Sequence, residues 1–262
     1  LQLTHSGRFS RPNLKDKLEP KILYRHPILD ARYDIGEDVQ PVSDDWIEDL
    51  IETFIVAIEL AAEAGYGFVD IKHCHGYLGH EFLSAHARPG PYGGSLENRT
   101  RFLRRIVEGA RRRAPGMILC VRVSGFDMVP FQGNPGEAGR PADFDELPYR
   151  FGFGVNDDDP TQYDLTEPIQ FLRLCKSLGI GAVNVSCGSP YYNPHIQRPA
   201  AFPPSDGYLP PEDPLLGVAR QIAATAELKA ACPELPLIGS GYSYLQDYLP
   251  NVAQWVDRKS VV

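Results

Sequence analysis

Thirteen residues, DIKHCHGYLGHEF at 70–82, hold one lysine, one cysteine and three histidines. Side chains of these types can bind a metal, relay a proton or hold an oxygen atom. The metal reading is the weakest of the three. His73, Cys74 and His75 are adjacent, and neighbours on an extended chain point to opposite faces rather than toward one ion. A second unusual run, YGGSLENRTRF at 92–102, follows closely. Further on, Arg122 sits inside the apolar run ILCVRV, where a buried guanidinium without a partner is costly and so suggests an anionic or polar ligand.

The elements that must position these residues follow from hydrophobic patterning. Five short apolar runs, at 1–4, 67–71, 118–123, 182–186 and 235–238, predict buried parallel strands. Between them lie helical patterns. Residues 45–65 place Trp46, Leu50, Phe54, Ile58 and Ala61 on one stripe, with Ser43 or Asp44 as cap and Gly65 as stop. Residues 95–116 predict one helix capped by Ser95, with Phe102, Ile106 and Val107 inward and Arg111–Arg113 at its negative end. Residues 167–178, 213–231 and 243–256 supply three more. Five βα units in succession mean a parallel sheet with helical crossovers.

No GxGxxG follows any strand, which counts against a doubly wound dinucleotide fold. The segments after the strands (5–42, 73–94, 125–166 and 187–212) are long, while those returning from helix to strand are short. That asymmetry predicts an α/β fold of the (β/α)8 TIM-barrel type, whose chemistry sits at the strands' C-terminal ends. Five strands are visible where a closed barrel needs eight, so the expectation is a partial barrel, strands 3 to 7, over residues 1–256. Both chain ends read as cut, and residues 257–262, DRKSVV, read as a non-native tail.

Composition excludes several classes. The chain has 262 residues, 43% hydrophobic and 23% charged, with a net charge of −8 that argues against nucleic acid as a partner. No run of about 18 apolar residues predicts a membrane span, and no leader pattern is visible. The five cysteines form no CxxC pair and read as reduced thiols of a cytoplasmic protein.

These residues resemble the Old Yellow Enzyme family of NADH:flavin oxidoreductases and its 2,4-dienoyl-CoA reductase relatives. The likeness is carried in order by LQLTHSGR, GYGFVDIKHCHGYLGHEFLS, YGGSLENRTRF, VRVS and LIGSGYS. It implies FMN across the top of the barrel, NADH or NADPH as reductant, and a small-molecule substrate, an electron-poor alkene. A dehydrogenase or demethylase of the same family, or a catalytically impaired flavin-binding protein, are the alternatives; homo-oligomer formation is left open.

The resemblance also assigns residues. Gln2 and Arg122 match positions at the flavin's pyrimidine edge, and Gly239, Ser240, Gly241 and Tyr242 match a phosphate-holding turn. His75 matches a residue holding the substrate oxygen, and Tyr77 matches the proton donor. Lys72 stands where better-known members carry a first oxygen-binding histidine; its ammonium could hold the carbonyl or contact the flavin. Tyr191, Tyr192 and His195 are candidate substrate contacts, and His73 is expected to face the helices. With three strands absent, residues 1–262 alone are expected to bind FMN weakly.

Overall fold

The computed structural model describes residues 1–201 and 207–251. The expected tail at 257–262 lies outside the described residues, as does the end of the helix expected at 243–256. In chain order the elements are β1 (Gln2–Leu3), a 3-10 turn (Gly7–Phe9), α1 (Pro27–Arg32), α2 (Asp44–Glu63), β2 (Phe68–His73), α3 (Leu78–Leu83), α4 (Leu96–Arg99) and α5 (Arg101–Arg113). Then follow β3 (Ile118–Ser124), β4 (Phe131–Gln132), β5 (Arg140–Pro141), α6 (Thr166–Ser177), β6 (Ala182–Ser186), α7 (Pro194–Gln197), α8 (Pro214–Ala231), β7 (Leu237–Ile238) and a 3-10 stretch, Tyr242–Tyr248.

The main sheet is parallel, in the order β1-β2-β3-β6-β7. Strand order follows chain order without the reversal that a doubly wound sheet contains. Helices α2, α5, α6 and α8 pack with the buried face of the sheet into one core. This is a partial α/β barrel, as its patterning predicts.

Alternation along each strand separates two faces. Val69, Ile71, Leu119, Val121, Val123, Val183, Val185 and Leu237 are buried in the core beneath the helices. Burying each such side chain contributes about 1.5–3 kcal/mol. The opposite, concave face carries Gln2, Asp70, Cys120, Arg122 and Asn184 around a cavity of about 510 Å³.

Two helix expectations are corrected. On α2 the buried stripe is Ile47, Ile51, Phe54, Ile55, Ile58 and Ala61. Trp46 and Leu50 lie only partly buried at its margin, and Trp46 packs edge-on against His5. The stripe is one residue away from the aromatic that seemed to anchor it. The helix expected over 95–116 breaks at Thr100, whose hydroxyl donates to the Leu96 and Glu97 carbonyls and competes with the backbone ladder. The caps hold as expected: Ser43 accepts from the Trp46 amide and Ser95 from the Asn98 amide.

The long segment after β3 is ordered. It forms the antiparallel β4–β5 pair and a small core, in which its Val129, Phe131, Tyr149 and Val155 pack with Tyr208 from the segment after β6.

Candidate active site

Strand β2 delivers its last residues into a tight turn at the C-terminal end of the sheet. His75 (φ 66°) and Gly76 (φ 73°) both lie in the left-handed region, which a non-glycine residue enters at a cost of about 1–2 kcal/mol. At Gly76 a Cβ would stand 2.7 Å from the Tyr192 ring, so no side chain fits there. The turn is clamped from three sides. The His75 amide donates to Ser124 Oγ (3.1 Å), the His75 carbonyl accepts from Ser189 Oγ (2.8 Å), and the Gly76 amide donates to His80 Nδ1 (2.8 Å).

Lys72 and Arg122 are paired in register across β2 and β3, and Asn184 pairs with Arg122 across β6. The Lys72 ammonium lies 3.4 Å above the centre of the Tyr77 ring, a cation–π contact. Burial lowers the Lys72 pKa, and the nearby Arg122 charge adds to that shift. His75 places Nε2 3.1 Å from Ser186 Oγ. Its pKa is pushed down to about 3, first by burial and then by the Arg122 and Lys72 charges, so the imidazole is neutral at pH 7. Tyr77 is half-buried, with its hydroxyl 2.7 Å from that of Tyr191. Burial raises its pKa, so the phenol keeps its proton. Lys72, His75 and Tyr77 thus gather at one strand end.

On the concave face the Gln2 amide nitrogen donates to Asp70 Oδ2 (2.5 Å). Three buried atoms nearby, Asp70 Oδ1, Arg122 Nε and Asn184 Oδ1, have no hydrogen-bond partner among the described residues. Such orphans cost about 1–3 kcal/mol each unless a ligand or solvent meets them. The Gly239–Tyr242 turn follows β7 at the same end of the sheet, with Gly241 at φ 90° leading into the 3-10 stretch.

Other sequence expectations resolve differently. His73 faces the helices as expected, between Phe102 and Phe171. Tyr192 and His195 are both buried. Tyr192 donates to Asp127 Oδ2 (2.7 Å), while His195 pairs with the Tyr208 hydroxyl (2.8 Å). Tyr192 backs the turn at Gly76, His195 packs against Phe131, and Tyr191, 42% exposed, is the aromatic whose hydroxyl reaches Tyr77. The YGGSLENRTRF run is architectural: Asn98 binds the Gly93 carbonyl, and Arg99 binds the Gly94 carbonyl and pairs with Glu167. Among the described residues no three His, Cys, Asp or Glu side chains converge as a metal would need. No described helix is long and apolar enough to cross a membrane.

Sequence reasoning missed the supports. Ser124 and Ser186 end β3 and β6 on one rung, and the matching strings VRVSG and VNVSC were the available signal. Arg8, clasped by Glu81 and Asp30 while fully buried, ties the turn after β1 to α1 and α3, and no local pattern announces it. Asp127, held by Tyr192 and Asn193, was equally hidden.

The chain belongs to the NADH:flavin oxidoreductase / NADH oxidase family, whose model matches residues 1–142. It is 42% identical over 132 residues to an NADPH dehydrogenase of Geobacillus sp. (strain WCH70), covering 50% of this chain and 36% of that one. It is 37% identical over 131 residues to an NADPH dehydrogenase of Bacillus subtilis (strain 168), covering 48% of this chain and 36% of the relative. A histamine dehydrogenase structure from Rhizobium sp. 4-9 aligns with a TM-score of 0.49 at 23% identity, over 72% of this chain and 23% of the other. The chain therefore spans about a third of the length of these curated relatives.

Proposed function

We propose that this chain forms the catalytic part of an FMN-dependent NAD(P)H oxidoreductase acting on an electron-poor alkene conjugated to a carbonyl. The observation that carries the reading is the set of polar atoms on the concave face that lack partners among the described residues. A guanidinium N–H, an amide oxygen and a carboxylate oxygen left without partners fit a flat ring edge that both donates and accepts, as the pyrimidine edge of a flavin does. Arg122, Gln2 and Lys72 would hold that edge, and Gly239, Ser240, Gly241 and Tyr242 the phosphate end. FMN, when bound, supplies the hydride chemistry between NAD(P)H and the substrate.

The chain's own residues do the rest. Lys72 and His75 grip the substrate carbonyl and stabilise the negative charge that develops on its oxygen. His75, neutral and with Nε2 facing Ser186, acts through hydrogen bonding rather than as an acid. Tyr77 delivers the proton to the carbon next to the carbonyl. Lys72, poised over the Tyr77 ring, favours the phenolate that this transfer leaves.

The test is on the native protein, by fluorescence titration with FMN followed by reoxidation of the reduced protein with cyclohexenone. Arg122→Ala is expected to weaken FMN binding by about tenfold or more, the loss of one charge-assisted contact. Tyr77→Phe is expected to keep FMN affinity and slow reoxidation by about a hundredfold. Unaltered FMN binding in Arg122→Ala would remove the basis of the reading.

A further inference from the structure

Resting on the assignment of Tyr77 as proton donor, we propose that Tyr191 is its positioning residue and proton relay, turning the Tyr77 hydroxyl toward the substrate and restoring its proton from solvent. A phenol has one proton to give. In the 2.7 Å contact between the two hydroxyls, either oxygen can be the donor. If Tyr77 donated, its proton would be directed away from any substrate. With Tyr191 as donor, the Tyr77 proton is free to point into the site, and the Tyr77 oxygen already accepts the hydrogen bond that later becomes its replacement O–H.

Tyr191 is held for this task. Its ring stacks on Phe9, with centroids 4.3 Å apart and planes 20° apart. Its amide donates to Ser189 Oγ (3.2 Å), the same hydroxyl that donates to the His75 carbonyl, so the catalytic turn and the loop after β6 share one tie. Its carbonyl accepts from the Tyr33 hydroxyl (2.7 Å). Exposed to solvent where Tyr77 is half-buried, Tyr191 lies between the acid and bulk water.

The step balances without a further reactant. The Tyr77 O–H bond breaks as a C–H bond forms on the substrate. The Tyr191 proton passes to the Tyr77 phenolate oxygen, and Tyr191 takes a proton from water. The Lys72 ammonium over the Tyr77 ring keeps the transient phenolate from becoming too high in energy.

The variant Tyr191→Phe deletes one hydroxyl and keeps the ring on Phe9. In stopped-flow measurements on the native FMN-loaded protein, flavin reduction by NADPH is expected to stay within about twofold. Reoxidation by cyclohexenone is expected to slow about tenfold, with a larger solvent deuterium isotope effect. Independently of turnover, carbon-13 tyrosine NMR of the flavin-free protein is expected to show the Tyr77 phenol titrating at higher pH in Tyr191→Phe than in the parent, because the hydroxyl that donates to its phenolate oxygen is gone. Equal reoxidation rates and an unmoved Tyr77 titration would overturn the relay. If Tyr77→Phe itself reoxidises like the parent, the assignment of the acid falls and the relay with it. A slow Tyr77→Phe beside an unaffected Tyr191→Phe removes the relay alone.

Discussion

The two faces of the main sheet are made from the same strands yet obey different rules. The convex face is apolar apart from His73, and all of it is packed against helices. The concave face carries Asp70, Lys72, Arg122 and Asn184 on the same strands, and three of its buried atoms lack partners among the described residues. The first face stabilises the fold through area removed from water. The second holds polar groups in readiness at some cost to the fold, the usual sign that a ligand completes them. The difference teaches that stability and chemistry are separated by strand parity alone, one residue apart.

The sharpest way to break that contrast is to damage one face at a time. Ile71→Ala, on the convex side and fully buried, is expected to lower stability by about 2–5 kcal/mol in urea denaturation. A loss below 1 kcal/mol would mean that this face is not the source of stability. Next in size is a pH effect at the rim. Burial raises the Asp127 carboxyl from 3.8 to about 6. Between these values the folded state holds a proton that the unfolded state has released, so stability falls as pH rises through that window and is level above it. Asp127→Asn is expected to remove that falling limb, measured as unfolding free energy at stepped pH; a limb of equal depth in the variant would assign it to other groups. The smallest effect belongs to the concave face. Asn184→Ala deletes an oxygen that has no partner among the described residues and, by relieving that cost, is expected to leave stability level or raise it by about 1 kcal/mol. A cost matching that of Ile71→Ala would erase the distinction between the faces.

The same contrast explains what could be read from the sequence. Strand runs such as ILCVRV and AVNVS declare the convex face by alternation, and the strands fall within about two residues of expectation. Lys72, His75 and Tyr77 are legible because they are close in the chain and share one turn. The α2 stripe was misplaced by one residue because Trp46 weighs heavily in any hydrophobic count while its ring lies at the margin. Arg8 with Glu81, 73 residues apart, and Tyr192 with Asp127, 65 apart, are pairings that tertiary structure alone creates. The small core of the 125–166 segment was hidden for a related reason: its apolar residues are scattered among Gly, Pro and Asp and show neither period. Residues 239–242 were found as a motif, yet they lie beyond the stretch that the family model matches.

His75 occupies a backbone position that glycine or asparagine would fill with less strain. A selection for thermal robustness alone would therefore tend to discard this imidazole early, trading an active rim for a quieter loop. Under its proposed role, His75 marks the point in the chain where folding preference and chemical use pull in opposite directions.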